Sequence, residues 1–459
     1  MEKEPIKIKF KTIITLIIVI AVIVVSLILV FVIKTKKSIE SEESQDLILS
    51  ESSEEGSSNE NEVNKNQVKE EKTGNVDIND AIDNFSYAFL KFENNKKNMV
   101  YSPLSINYAL KMLDDGAQED TKNQIDKILG NRDVTKYSDI ENILSFANAL
   151  YVRDTYSDVV KSDYMDILND KYNAEVKFDK FEDATNVNKW IGDKTFGQIK
   201  NMLSDESVSN IDSEMILINA LAIDMEWAEK IDAEGVYSDD FYLDDGSKMK
   251  ASTLHNETKS DNFSYYKNKD ITVLTMDLKK YDDNQLEFMA IMPKENLSDY
   301  VENFDENALK NIDKNLSKAS KNKGGIYFKI PKFSFDYELG LKNDLINLGM
   351  KDAFNGKIAN FNNMFDLSKT GENLYVGDAL HKANISFSEN GIKAAAATVI
   401  QMMNDGSLED DGKKIEPIEV KIDKPFMFII RDKNTDENWF TGTVYNPTSW
   451  ADDSSNYTY

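Results

Sequence analysis

The sequence predicts one large domain of mixed α and β structure with large, mostly antiparallel sheets, carried behind an apolar segment and an acidic tether. Three observations predict it. Helical apolar faces cluster early in the domain, strand-like stretches dominate later, and the first 75 residues lack the composition of a folded core.

Helical spacing begins with Ile78, Ile82, Phe85 and Phe89. Ser102-Pro103 opens a second helix, with serine as cap and proline in the first turn. Leu104, Ile106, Ala109, Leu110 and Leu113 line it, and Gly116 suits its stop. A third helix is expected over 121–129, ending at Gly130, and a fourth over about 158–172. Strands are expected at 147–152, 214–225, 271–278, 286–292, 325–330, 383–387 and 425–431.

Residues 13–33 form an apolar run relieved only by Thr15 and Ser26. As a helix it would span roughly 31 Å, about a bilayer's hydrocarbon core. Lysines flank both sides, so the positive-inside rule gives only a small bias toward a cytoplasmic 1–12. A cleaved signal peptide, leaving a secreted domain, is the alternative; its apolar region would be shorter and followed by small residues, whereas Lys34-Thr35-Lys36-Lys37 follows here. Residues 34–75 are rich in Ser, Glu and Asn and read as a flexible linker. The domain is expected over 76–449, with a tail at 450–459. It would stand outside the cell membrane on a single-pass anchor.

The chain has 81 acidic and 54 basic residues, a formal charge of −27. Such a surface repels phosphate backbones, so nucleic acid is excluded as a partner. With no cysteine, disulfides, thiolate nucleophiles and zinc-thiolate sites are impossible. Only His255 and His381 could serve as histidine bases, and neither has metal-ligand spacing. No hydrolase, metalloprotease or nucleotide fingerprint is present, and no cofactor is expected. The acidic stretch 432–438 reads as a hairpin turn, since it lacks the glycine and distal glutamate of a calcium loop. The heavy use of Asn, Lys and Ile hints at an AT-rich, bacterial genome.

The informative segment runs from 383 to 406. Ala383, Ile385 and Phe387 alternate with polar residues, as a strand with one buried face requires. Glu389-Asn390-Gly391 is a turn signal, followed by Ile392-Lys393, then Ala394, Ala395, Ala396, Ala397, Thr398, Val399 and Ile400. Alanine propensity alone favours a helix here. A strand leading into a glycine and four small residues reads instead as a segment able to change partners.

This segment resembles the hinge and reactive loop of the serpins, the serine protease inhibitor family. The likeness runs from Val76 to Ser449. Asn98-Met99-Val100-Tyr101-Ser102-Pro103-Leu104-Ser105-Ile106 is similar to the family's early strand and serine-bearing helix. Asn188, Trp190, Thr195, Gly197 and Ile199 match a second pattern, and Leu217-Ile218-Asn219-Ala220 with Trp227 a third. Pro331-Lys332-Phe333 and the set Phe426, Phe428, Phe440, Gly442, Asn446 and Pro447 complete it.

The resemblance implies a serpin-like fold with three β-sheets, about eight or nine helices and an exposed reactive loop over about 389–416. It implies suicide inhibition of a serine or cysteine protease by a monomer that is not an enzyme. The protease cleaves the loop, forms an acyl-enzyme, and is trapped as the loop inserts into the main sheet. Counting seventeen residues from Glu389 places the scissile bond at Asp405–Gly406. The hinge would comprise Glu389, Gly391, Ile392, Ala394 to Ala397 and Thr398. Ser102, Ser105, Asn219 and His381 resemble the polar cluster where the sheet opens. Trp227, Lys332 and Glu389 resemble the group where the loop goes in, with a Lys332–Glu389 ion pair expected there that would contribute about 1 kcal/mol if partly exposed. Two features depart from the pattern: Ile392-Lys393 after the glycine, and the extension 407–414 with its acidic Glu409-Asp410-Asp411. A non-inhibitory binding or structural protein on the same fold is the runner-up.

Overall fold

The computed structural model describes residues 81–130, 135–209, 215–369, 373–377, 379–393 and 415–453. The chain divides into two units, Met1–Thr73 and Gly74–Tyr459, and every described residue belongs to the second. The expected anchor at 13–33 and the linker at 34–75 therefore lie outside the described residues.

Nine α-helices and eighteen strands occur among the described residues. The first part of the chain forms α1 (Ala81–Phe92), β1 (Met99–Tyr101), α2 (Pro103–Gly116), α3 (Glu119–Leu129), β2 (Leu144–Arg153), α4 (Ser162–Tyr172), β3 (Glu175–Asp179), α5 (Thr185–Lys194) and α6 (Asp205–Ser209). Next come β4 (Met215–Ile223), β5 (Met225–Glu226), β6 (Val236–Tyr242), β7 (Lys248–Thr258), β8 (Phe263–Lys267), β9 (Ile271–Asp277), β10 (Leu286–Pro293), α7 (Leu297–Glu302) and α8 (Glu306–Asn315). The rest supplies β11 (Ser317–Lys318), β12 (Ile326–Pro331), β13 (Phe333–Gly340), α9 (Leu341–Asn347), β14 (Leu380–Ser388), β15 (Gly391–Lys393), β16 (Ile418–Lys421), β17 (Phe426–Asp432) and β18 (Asn438–Val444).

Local chemistry explains most boundaries. Ser102 caps α2 by accepting the Ser105 N–H, and Pro103 takes the first helical position, where no N–H is needed. Gly116 is the last residue of α2 rather than a left-handed stop; a Cβ there would meet Met364 and Tyr164 side chains at 2.5 and 3.2 Å. α3 starts two residues before the expected Thr121, and α4 starts at Ser162 because Val160 bridges Phe365 instead. Sequence reasoning missed β3, β6, β7 and β13: β3 and β6 are mostly half-exposed and polar and β7 buries chiefly its middle, but β13 carries the alternation Phe333, Phe335, Tyr337, Leu339 of a strand with one inward face.

Seven strands form one sheet in the order β1-β18-β17-β10-β9-β8-β11, and four form another, β16-β12-β7-β6. The third sheet expected from sequence is present as two hydrogen-bonded parts, β3-β2-β4 and β13-β14-β15-β5. β4 and β5 are one path interrupted at Asp224, whose N–H turns to Ile143 O. Phe387 of β14 lies 4.7 Å from Phe288 of β10 and 5.0 Å from Phe333, with Phe428 close to Phe288 and Phe333. This aromatic layer joins the divided sheet to the seven-stranded one.

In the seven-stranded sheet Arg431 faces Glu287 across β17 and β10. Its Nε donates to Glu287 at 2.7 Å, while both terminal nitrogens clasp Asp313 of α8 at 2.9 and 2.6 Å. Removing the guanidinium leaves Glu287 charged and buried, a loss of about 3–5 kcal/mol. Arg431→Ala should therefore lower the urea midpoint of unfolding markedly; a midpoint within error of the parent would show that the cluster contributes nothing.

Candidate functional site

β14 ends at Ser388, Glu389-Asn390 makes a two-residue turn, and β15 runs back along β14. The other edge of β15 pairs with β5, through Gly391↔Glu226 and Ile392↔Met225. Gly391 has φ +140°, and a Cβ on it would stand 2.1 Å from Met225 O. Glycine is required by this close approach as much as by the turn. Ile392 is buried. The resemblance places these residues in an exposed loop over about 389–416; here Gly391–Lys393 are already in the sheet, because Gly391 admits the backbone and Ile392 fills an apolar site. Ala394 to Ala397, Thr398, Asp405 and Gly406 lie outside the described residues, as does the side chain of Lys393.

β15 holds β5 and β14 two strand spacings apart, about 9.5 Å. Below it, no ladder among the described residues joins β4 to β14. A cavity of about 10 Å³, scarcely one water centre, lies there between Ile223, Ile385 and Ile392. The connector after α5 crosses this gap. Gln198 Nε2 donates to Ile223 O of β4 at 3.1 Å, and Lys382 Nζ of β14 donates to Asn201 O at 3.3 Å. Asn188 and Thr195 hold the connector in shape: Asn188 exchanges two hydrogen bonds with the Leu203 backbone, and Thr195 Oγ1 accepts the Ile199 N–H.

At the mouth of the gap, Trp227 Nε1 donates to Ser388 O at 2.8 Å, and its ring lies edge-on to Phe387 at 5.3 Å. Lys332 Nζ is 3.1 Å from Glu389 Oε2. The ion pair expected from sequence is present and buried, with side chains 9% and 10% accessible. It also has a third member, Asp453 Oδ2, 2.9 Å from the same ammonium and 7% accessible. Breaking a pair so buried costs about 3–5 kcal/mol rather than the surface value of about 1.

Ser102, Ser105, Asn219 and His381 come together at the foot of the gap. Ser102 N–H donates to His381 Nε2 at 3.0 Å, so that nitrogen carries no proton. Ser105 Oγ donates to Asn219 Oδ1, and Asn219 Nδ2 donates to Asn148 Oδ1. Asn148 Nδ2 closes the chain on Tyr172 O at 2.8 Å. The network thus ties α2 to β14, β4 and β2. Sequence reasoning missed Asn148, although an asparagine inside the apolar run of β2 is the kind of buried polar group that needs partners. Nothing in the sequence around Gln198 or Asp453 marks either.

His255 is engaged on both ring nitrogens, by Asp239 and by the Tyr327 hydroxyl, each at 2.7 Å. Burial lowers its pKa. Among the described residues no three His, Cys, Asp or Glu side chains gather as metal ligands.

β15 thus lies between β5 and β14 at the head of a divided sheet, with no ladder between β4 and β14 below it among the described residues. Residues 80–447 match the family model described as Serpin (serine protease inhibitor), and the chain belongs to that family. It is 28% identical to an uncharacterised serpin-like protein of Thermococcus kodakarensis, over 80% of this chain and 85% of that one. Serpin-Z10 of Arabidopsis thaliana is also 28% identical, covering 77% of this chain and 93% of its own length. Among solved structures, the thermophilic serpin tengpin in its native state superposes with a TM-score of 0.65 at 27% identity, covering 84% of this chain and 97% of tengpin.

Burial holds the His381 imidazole down at about 4, against about 6.5 in an unfolded chain. Between those values the unfolded chain binds a proton that the folded one refuses. The stability associated with neutral His381 is complete above pH 6.5 and is lost as pH falls toward 4, by about 3 kcal/mol. Asp344 acts oppositely, since burial and then Glu93 raise it to about 6. The clean measurement is therefore the difference between the protein and His381→Gln, whose amide oxygen can still accept the Ser102 N–H. That difference should shrink by about 3 kcal/mol between pH 7 and pH 4 in urea unfolding; a constant difference refutes the assignment. A second outcome concerns the hinge. Gly391→Val should expel β15 and raise amide exchange at Ile392 at least tenfold, while exchange in β2 stays the same.

Proposed function

We propose that this chain inhibits serine or cysteine proteases by a suicide mechanism. The observation that carries the reading is β15, a strand three residues long inserted between β5 and β14 above an unpaired gap. Extending its register supplies the rest. In an inserted strand of the same register, Ala394 to Ala397 would fall opposite residues 385 down to 382 on one side and 223 down to 220 on the other. Small side chains pass between packed strands with little resistance. Thr398 then arrives between His381 and Asn219, at the polar network that ties the sheet shut. The fourteen residues from Ile392 to Asp405 would extend about 46 Å, enough to cross a large sheet.

The chemistry belongs to the protease. Its serine or cysteine attacks the Asp405 carbonyl, the amine of Gly406 leaves, and an ester or thioester links the two proteins. Insertion of the freed strand then carries the enzyme across the sheet before water can hydrolyse that bond. Each new backbone hydrogen bond contributes about 1 kcal/mol net, so a strand paired on both sides releases far more than one bond would. Strand addition of this kind is one of the general modes of peptide recognition, and serpin loop insertion is a standard example of it. The chain acts as a consumed substrate rather than a catalyst, as a monomer.

The apolar run at 13–33 supports a single-pass anchor, with 1–12 in the cytoplasm, 34–75 as tether and the inhibitor outside the cell; the alternative is a cleaved, secreted form. The composition supports an AT-rich, bacterial source.

Incubation with serine and cysteine proteases of differing specificity should yield a covalent complex that survives SDS. The fragment released should begin at Gly406 by mass spectrometry. Cleavage without any stable complex, across the proteases tried, would favour a non-inhibitory binding protein on the same fold. A fragment beginning after Lys414 would overturn the placement of the scissile bond.

A further inference from the structure

The C-terminal segment reaches the mouth of the gap. After β18 the chain crosses β7, where Ser449 bridges Ala251 and Ser252 N–H donates to Thr448 O at 3.0 Å. Thr448 N–H donates to Lys332 O at 2.8 Å, and Trp450 N–H to Lys250 O at 3.0 Å. A turn follows, closed by Asp453 N–H on Ser449 O at 3.1 Å. These backbone bonds carry residues 450–453, expected from sequence as the start of a loose tail, to the Lys332 ammonium. Asp453 is buried there on a segment whose backbone path is set independently of its side chain.

We propose that Asp453 is a positioning residue of the hinge: it holds the Lys332 ammonium against Glu389 and so sets how readily β15 lengthens before any cleavage. The inference rests on the insertion mechanism proposed above. Lysine carries a compact charge on a flexible four-carbon stem, so one carboxylate does not fix its direction. Two carboxylates, at 3.1 and 2.9 Å, do. Glu389 is the turn residue from which β15 starts, and the Trp227 bond to Ser388 O fixes the strand just before it. A lysine released from Asp453 can swing its head toward water, as long cationic side chains do at a surface. Glu389 then loses its buried partner, and the turn is free to open as the hinge advances. The C-terminal segment thereby acts on the hinge through a single ammonium.

The test uses the full chain and three variants: Asp453→Asn, Glu389→Gln and the double variant. Asp453→Asn keeps the backbone bonds that hold the segment. The first readout is native-state amide exchange in β15; the second is the rate at which uncleaved protein converts, on mild heating, to a urea-resistant form. Asp453→Asn should raise exchange at Ile392 and Lys393 at least fivefold, leaving β9 and β10 unchanged. Conversion should accelerate by a similar factor, and Asp453→Glu should restore part of it. The double variant should be no faster than Glu389→Gln alone, because both act through Lys332. Unchanged β15 exchange in Asp453→Asn, or fully additive effects in the double variant, would overturn the proposal. If no variant converts on heating but β15 exchange still rises, the positioning role stands and the insertion mechanism fails.

Discussion

Two strands, β4 and β14, border a gap with no ladder between them among the described residues, and much of the site follows from that arrangement. Unpaired strand edges are unstable partners for water and apolar surface alike, because each carries a row of donors and acceptors that must be satisfied. The molecule satisfies a few of them locally. Gln198 takes the Ile223 carbonyl, the Lys382 ammonium binds the connector at Asn201, and β15 fills the top of the gap with three residues. Below it no ladder joins the two strands among the described residues.

The polar groups around the gap sit at its two ends. Trp227, Lys332, Glu389 and Asp453 guard the mouth, with three charged side chains withdrawn from solvent. Buried charges are a poor source of stability compared with apolar packing, but they impose geometry, since a misplaced charge there is costly. Ser102, Ser105, Asn219, Asn148 and His381 form the network at the foot, where every bond has a neutral donor and acceptor. A neutral histidine suits this place: it can accept a backbone N–H without bringing a charge into the core. The aromatic layer of Phe288, Phe333, Phe387 and Phe428 packs the divided sheet onto the seven-stranded one.

Much of this was legible in the sequence, for particular reasons. Ala383, Ile385 and Phe387 alternate strictly because β14 has one buried face, and Ser102-Pro103 states its own helix start. The Lys332–Glu389 contact and the grouping of Ser102, Ser105, Asn219 and His381 came through the family resemblance, since contacts between separate strands and helices leave no local pattern. Strand β6 was illegible because its face is half-exposed and polar, whereas β13 alternates Phe333, Phe335, Tyr337 and Leu339 with exposed residues and was legible though missed. The early insertion of Gly391 and Ile392 was also hidden, because a turn followed by a short strand reads the same whether its edge is paired or free. Asp453 was invisible for another reason: an aspartate among Ser, Asp and Asn near the C-terminus looks like solvated tail, and only the backbone bonds of Thr448 and Trp450 to β7 and Lys332 bring it inside.

The claim at the centre is that the gap between β4 and β14 receives the loop as a new strand. Amide exchange in residues 380–385 and 216–223, compared before and after a single cut within the reactive loop, measures this directly. The account predicts that exchange along both facing edges slows by at least a hundredfold once the loop is cut, as a strand fills the gap between them. Exchange that stays the same or quickens after cleavage would contradict it.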